Sequence, residues 1–387
     1  MNFRGPFLLL AAFAAFAALA GCDKDKEVDP PAELVDLEPS LTVREVWSSG
    51  LGGGGEKLRL ALGLATDGET VFAAARNGKV SALEAATGRV RWRVDTELAL
   101  SAGPGAGAGL LVLGTNDGNV IALEAATGEV RWKTRVSGEV LAAPLVTGER
   151  IVVRSVDGRL RSLAARDGAE QWVVEEMVPR LSLRGTAPPI LAGDAVIEGF
   201  DTGKVMAVAL ASGDILWQTQ VSSARGRSEL ERLADVDAAV QVAGNDVYAV
   251  GYQGRVEMLA LDTGQVWWGR EASSYRAIAI DDDQLYVATS AGDVLALRRR
   301  DGSVVWQQEG LKHRGRGGVA GDGAAVVVGD FDGYLHWLDR ATGRFVARER
   351  PGGARIAAAP LVAGGRVFVI DEGGDVTAFV SGAASGS

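Results

Sequence analysis

Few residues of this 387-residue chain have the types and spacing that catalysis or metal binding requires. The two histidines, His313 and His336, stand 23 residues apart, and no cysteine or carboxylate cluster joins them at metal-ligand spacing. No Gly-x-Ser-x-Gly elbow is present, and Ser, His and Asp occur without a pattern that indicates a triad. The densest basic stretch, residues 312–318, is interpreted as a loop or buried element. The sequence therefore predicts no catalytic residue, no metal site and no cofactor.

The single cysteine, Cys22, has one evident use. Arg4 is followed by an apolar core over residues 7–20, and the segment ends in Leu-Ala-Gly-Cys. This ending resembles the lipobox of bacterial lipoproteins, which implies a lipid on the Cys22 sulfur and removal of residues 1–21 as a signal peptide. A transmembrane helix is the alternative, and the apolar core is short for a span.

Residues 22–40 are predicted to be the lipidated cysteine and a polar tether, because charged residues and Pro30-Pro31 dominate them. The chain is thus expected in the periplasm, lipid-anchored to a membrane. Asp23 leaves the inner membrane open, since an Asp in this place tends to retain enteric lipoproteins there.

A repeated phrase fixes the architecture. Ala-Leu-Glu-Ala-Ala-Thr-Gly-Arg-Val-Arg-Trp at residues 82–92 returns at residues 122–132 and then in looser copies. The repeated glycines, which are spaced by 40, 40, 45, 51, 38 and 41 residues, are Gly88, Gly128, Gly168, Gly213, Gly264, Gly302 and Gly343. This period is typical of a four-stranded propeller blade, and Thr or Asp before Gly is typical of a tight hairpin.

A second hairpin precedes each phrase, and its β-branched runs predict strands buried between sheets. Eight such hairpins begin near Thr70, Leu110, Arg150, Ala195, Asp246, Gln284, Ala325 and Arg366. Only seven internal Trp-bearing phrases follow them, so one blade lacks its outer strand. Residues 41–47 alternate like a strand and end in Trp, and we predict that they complete the last blade beside residues 376–380.

The prediction is thus an all-β, eight-bladed propeller over residues 41–380 with a short tail at 381–387. The 52 glycines are interpreted as turn residues, with residues 52–55 and 103–109 as loops. The nine tryptophans are expected to fill the gaps between blades. A net charge of −10 disfavours nucleic acid as a partner.

Two insertions break the blade pattern. The 45-residue interval contains Leu181, Leu183 and Arg184, and the 51-residue interval contains Asp235 and Asp237. Extra length in a propeller forms a loop on one face, where partners bind. Leucines beside a guanidinium can serve as an interface anchor. The two aspartates are expected either to orient Arg184 in an internal ion pair or to accept hydrogen bonds from a partner.

Several segments together resemble the BamB family, propeller lipoproteins of the outer-membrane β-barrel assembly machinery. The segments are the lipobox and residues 33–39, 181–185, 231–237 and 329–337, and the likeness covers essentially the whole mature chain. It implies a non-enzymatic subunit of the BAM complex, anchored at the periplasmic face of the outer membrane, that binds the POTRA domains of BamA and assists folding and insertion of barrels. The residues implied to mediate this contact are Leu181, Leu183, Arg184, Asp235 and Asp237. Pairing of nascent barrel strands with the propeller rim is a weaker hypothesis.

Two other functions stay open from the sequence. The Trp-bearing phrase also resembles the repeat of pyrroloquinoline quinone dehydrogenases, but their adjacent-cysteine disulfide is impossible here and no acidic and amide cluster for Ca²⁺ is visible. The second alternative is a propeller lipoprotein with a different envelope partner.

Overall fold

The computed structural model describes residues 29–52, 61–184, 186–223, 226–315 and 317–383. The chain divides at Pro31/Ala32. In the first unit the described residues 29–31 are exposed and irregular. Cys22 and the predicted signal peptide lie outside the described residues. Within the described part, no helix is long and apolar enough to cross a membrane.

The second unit is built from strands, which are numbered in chain order. The chain begins with β1 (Leu41–Gly50) and the short β2 (Ala61–Leu62). Blade 1 contains β3 (Leu64–Thr66), β4 (Thr70–Ala74), β5 (Lys79–Glu84) and β6 (Val90–Asp95). Blade 2 contains β7 (Leu100–Gly107), β8 (Leu110–Thr115), β9 (Asn119–Glu124) and β10 (Val130–Arg135). Blade 3 contains β11 (Leu145–Val146), β12 (Arg150–Ser155), β13 (Arg159–Ala164) and β14 (Glu170–Glu175). Blade 4 contains β15 (Ile190–Ala192), β16 (Ala195–Gly199), β17 (Lys204–Ala209) and β18 (Ile215–Gln220).

The second half repeats the same order. Blade 5 contains β19 (Gln241–Ala243), β20 (Asp246–Val250), β21 (Arg255–Ala260) and β22 (Val266–Glu271). Blade 6 contains β23 (Ala279–Ile280), β24 (Gln284–Ala288), β25 (Val294–Arg298) and β26 (Val304–Gln308). Blade 7 contains β27 (Val319–Asp322), β28 (Ala325–Gly329), β29 (Leu335–Asp339) and β30 (Phe345–Glu349). Blade 8 contains β31 (Leu361–Ala363), β32 (Arg366–Ile370), β33 (Asp375–Ala383) and, as its outer strand, β1.

Closure of the ring confirms the prediction made for the N-terminal strand. β1 pairs antiparallel with β33, with Arg44 opposite Val380 and Ser49 opposite Val376. The first and last strands therefore share one sheet, and no blade is left incomplete. The eight-bladed, all-β fold is as expected, and β2 adds a short parallel strand beside β7.

Neighbouring blades are locked together by one repeated contact between a tryptophan and a glycine. The Trp92 indole lies against the turn of blade 2, where a Cβ on Gly128 would be 2.7 Å from a ring carbon. Its Nε1–H donates to the Ala125 carbonyl at 2.9 Å. Gly128 also has φ +77°, so both its backbone and its neighbour require glycine. The tryptophans that make this contact are Trp47, Trp92, Trp132, Trp172, Trp217, Trp268 and Trp306.

The two remaining tryptophans differ. Trp337 is buried on β29, opposite Ala347 of the outer strand β30. It fills the gap between blades 7 and 8 from β29 and not from the outer strand. Trp267 is 57% exposed, so the prediction that all nine tryptophans fill gaps between blades was wrong for this residue. A bulge between Val266 and Trp268 turns Trp268 toward blade 6 and leaves Trp267 on the rim.

The prediction of a loop over residues 103–109 was also wrong, because residues 103–107 belong to β7. Glycine is required there for close approach of two blades. A Cβ on Gly105 would lie 1.9 Å from the Pro144 carbonyl oxygen, and one on Gly107 would lie 2.5 Å from that of Val146. Glycine in a strand therefore marks tight backbone packing here.

Candidate binding site

One face of the ring is formed by the connections from each outer strand to the innermost strand of the next blade, and we call it the loop face. Both insertions lie on it, since residues 176–189 join blades 3 and 4 and residues 221–240 join blades 4 and 5. The shorter connection over residues 136–144 joins blades 2 and 3. These three consecutive connections meet at the predicted site residues.

Asp235 and Asp237 hold the first insertion by its backbone. The Asp235 carboxylate accepts the Leu183 N–H, and the Asp237 carboxylate accepts the Thr186 N–H. Asp235 is fully buried and Asp237 is 7% exposed. Their own segment is fixed by the Tyr252 N–H, which donates to the Asp235 carbonyl at 2.8 Å. The two aspartates therefore shape the loop from beneath.

Arg184 has a different partner from the one expected. Its guanidinium forms an ion pair with Glu139, in the connection between blades 2 and 3. The expectation that Asp235 and Asp237 orient Arg184 in an internal ion pair was wrong, because both carboxylates face the loop backbone. Arg184 has φ +73°, and its N–H is donated to the Ser182 hydroxyl at 3.2 Å. The Arg184 side chain stays 62% exposed.

A buried guanidinium lies beneath the aspartates. Arg154, on β12, donates to the Asp201 carboxylate at 2.5 Å. The Glu198 carboxylate, on β16, is 3.5 Å from another nitrogen of the same guanidinium. Arg154 also lies over the Phe200 ring, 5.3 Å from its centroid. One buried cation therefore faces several carboxylates, which is an imbalance of charge in a region with little water.

Burial raises the pKa of three acids in this cluster. Burial raises the pKa of Glu198 to about 8, although Arg154 opposes the shift. Burial raises the pKa of Asp237 to about 7 and that of Asp235 to about 6, against the hydrogen bonds from Thr186 and Leu183. Glu198 is therefore largely protonated at neutral pH, which relieves part of the excess negative charge.

The surface above this cluster is partly apolar. Leu181 is 41% exposed, and Leu183 lines a cavity of about 410 Å³ together with Tyr275, Arg276 and Arg355. Met177 and Leu230, from the first and second insertions, are 78% and 67% exposed. Exposed apolar side chains grouped on one face are typical of a binding surface. The arrangement offers apolar surface and an exposed guanidinium for contact with a partner.

Other residues of the site were not predicted from the sequence. Arg154 and Glu198 each follow an apolar run within a strand, in adjacent blades, and a charge at such a place was a usable signal. Met177 and Leu230 are large apolar residues in polar connections, which was a weaker signal. Glu139 carried none. In the described part of the chain, no group of three His, Cys, Asp or Glu residues is arranged to hold a metal ion.

Comparisons with known proteins agree with this architecture. The profile of the family described as outer membrane protein assembly factor BamB matches residues 34–98, 76–308 and 305–385. BamB of Pseudomonas aeruginosa is 48% identical over 371 residues, which cover 95% of this chain and 98% of that protein. The crystal structure of BamB from Moraxella catarrhalis has a TM-score of 0.81 at 28% identity, covering 88% of this chain and all of that one. A quinohemoprotein alcohol dehydrogenase from Comamonas testosteroni has a TM-score of 0.67 at 14% identity, covering 87% and 76% of the two chains, and shares the fold alone. The chain belongs to the family of outer membrane protein assembly factor BamB.

Proposed function

We propose that this chain is a non-enzymatic, lipid-anchored scaffold of the outer-membrane β-barrel assembly machinery, and that it binds the POTRA domains of BamA through its loop face. The relatives that carry the assembly-factor name support the assembly role. The observation that carries the binding proposal is the first insertion, which presents Leu181 and Arg184 outward while buried carboxylates hold its backbone.

The proposed roles of the five site residues fall into two groups. Leu181, Leu183 and Arg184 contact BamA, since their side chains are at least partly exposed. Asp235 and Asp237 are positioning residues, because both are buried and bonded to the loop. A rigid loop loses less conformational entropy on binding, which favours affinity. On binding, Arg184 exchanges its ion pair with Glu139 for a contact with BamA.

The rim is a less favoured site for unfolded barrel strands. In blade 2 the pairing of the outer strand shifts between Val130 and Trp132, and the other seven blades have a shift at the same place. Bulges interrupt an exposed edge and disfavour the addition of another strand. We therefore propose that barrel precursors meet this chain through BamA.

The lipid anchor at Cys22 and the periplasmic face of the outer membrane complete the proposal. Its test is co-purification from a mild detergent extract of the native envelope, with the parent and with Arg184→Ala. BamA is expected with the parent and at reduced amounts with a still-folded variant. Recovery of another envelope protein in place of BamA would favour a different partner.

A further inference from the structure

Two sequence segments that lie outside the proposed BamA-binding site meet on blade 7. They are the basic stretch at residues 312–318 and the segment at residues 329–337. Arg314, from the first, donates through Nε to the Asp330 carboxylate at 2.8 Å and through Nη2 to Asp332 at 2.7 Å. Arg314 is 5% exposed and Asp330 is fully buried. A buried ion pair of this kind is costly to desolvate, and further hydrogen bonds are needed to offset that cost.

The network continues through a buried histidine. His336 Nε2 is 3.0 Å from the Asp330 carboxylate, and Arg348 Nε is 3.3 Å from His336 Nδ1. An arginine N–H can only donate, so Nδ1 accepts and the histidine proton lies on Nε2, directed to Asp330. Burial lowers the pKa of His336, against the opposing effect of Asp330, and the ring is neutral at physiological pH.

Both guanidiniums also hold the segment that precedes β1. Arg314 Nη1 donates to the Ala32 carbonyl at 3.1 Å, and Arg348 Nη1 donates to the Val35 carbonyl at 3.0 Å. The Ala32 N–H donates to the Lys312 carbonyl at 2.9 Å. The Leu34 side chain packs against the core shared by blades 6 and 7. Residues 32–40 thus lie along blade 7, and the Ser40 N–H reaches the Val346 carbonyl at 2.9 Å.

We propose that this network is a dock for residues 32–40, and that it fixes where the lipid tether leaves the propeller. The proposal rests on the proposed lipid at Cys22. With Ala32 docked, the fixed part of the chain begins ten positions after the anchor (32 − 22 = 10), a reach of about 35 Å at full extension. Without docking, the first fixed residue is Leu41, which is 19 positions after the anchor (41 − 22 = 19), or about 65 Å.

Docking also determines the face of the propeller from which the tether departs. Lys312 and Arg314 belong to the connection between blades 6 and 7, which lies on the loop face with the first insertion. The tether therefore departs from the face that carries Leu181 and Arg184. The short reach from that face limits how the propeller is turned relative to its membrane.

The first test uses purified, unlipidated protein and so does not depend on BamA. Hydrogen exchange at the Ala32 and Ser40 amides is compared between the parent and Leu34→Asp. Val35→Asp is the matched control, because the Val35 side chain is 61% exposed. We expect exchange at least tenfold faster in Leu34→Asp and unchanged in Val35→Asp, with blade amides equally protected in all three. Fast exchange at both amides in the parent would overturn the dock.

The second test shortens the tether in cells. Deletion of residues 24–31 shortens the distance from Cys22 to the first fixed residue to two chain positions in the docked protein (10 − 8 = 2) and to eleven in an undocked one (19 − 8 = 11). We expect the deletion alone to abolish recovery of BamA. Leu34→Asp, added to the deletion, is expected to restore recovery at equal amounts of lipidated protein. Equal recovery from the deleted forms with and without Leu34→Asp would overturn the limit on reach. Failure of BamA recovery with the full-length parent would instead contradict the proposed function.

Discussion

The carboxylate of Asp237 accepts the backbone N–H of Thr186, which lies 51 residues earlier in the chain and in the preceding blade connection. The donor is a main-chain N–H, so this bond does not restrict which side chain stands at that position of the loop. Asp235 does the same for Leu183. The acidic pair of the second insertion thus determines the shape of the first.

Two substitutions of Asp237 distinguish its role in holding the first insertion from a direct charge contact with BamA. Asp237→Ala leaves the Thr186 N–H without its acceptor and is expected to cost about 1–3 kcal/mol in the free energy of unfolding and to weaken BamA binding. Asp237→Asn keeps an amide oxygen for the same bond and should retain most of the binding. Binding by purified proteins and urea unfolding check both. Equal loss of binding in a folded Asn variant would indicate a direct charge contact.

Substitution of Arg184, in contrast, is expected to weaken BamA binding with little change in stability. Its exposed ion pair with Glu139 is worth little to stability, so Arg184→Ala should change the free energy of unfolding by less than about 0.5 kcal/mol. An arginine at the centre of an interface is commonly worth more than 1 kcal/mol, so we expect BamA affinity to fall at least about tenfold. Glu139→Gln is the matched control and should keep the affinity. Parallel losses in both variants would show that the ion pair itself is required.

Glu198 makes stability depend on pH. Its pKa rises from an ordinary 4.5 to about 8 on folding, so the folded protein binds more protons than the unfolded chain between these values. The free energy of unfolding therefore falls as pH rises through this range. Glu198→Gln should exceed the parent in stability by on the order of 1 kcal/mol at pH 8 and by less at pH 5. The exposed Glu129→Gln serves as control, and a constant difference between Glu198→Gln and the parent would contradict the assignment.

The contact between tryptophan and glycine can be measured with two glycines of similar backbone. Gly128 has φ +77° and faces Trp92, whereas Gly244 has φ +61° and open space, with no atom within 4 Å of where a Cβ would stand. Gly244→Ala is expected to cost about 1 kcal/mol through backbone strain alone. Gly128→Ala should cost about 1–3 kcal/mol more, because the methyl group overlaps the indole. Equal thermal unfolding of the two variants would show that the packing is loose.

The repeat made much of the fold predictable. A hairpin every 38 to 51 residues placed the second strand of each blade correctly, from Thr70 to Arg366, because turn glycines and apolar runs are local signals. Closure by β1 followed from counting outer strands. Trp267 was mispredicted because two adjacent tryptophans look alike in sequence, and a bulge decides which one faces inward.

The candidate site was predictable only in part. The two insertions stood out by length, and their five residues do lie together. The partner of Arg184 did not follow, because the pair with Glu139 depends on how three irregular connections meet. The bonds of Asp235 and Asp237 are made to backbone N–H groups, which every residue but proline carries, so no sequence pattern marks them.

Site-specific photo-crosslinking in living cells asks directly whether the first insertion binds BamA. A crosslinking amino acid is placed at Leu181, in the first insertion, and at Trp267, an exposed apolar position on the rim. We expect a crosslink to the POTRA region of BamA from position 181 and none to BamA from position 267. A crosslink to BamA from position 267 alone, or from neither position in a folded and lipidated protein, would contradict binding through the loop face.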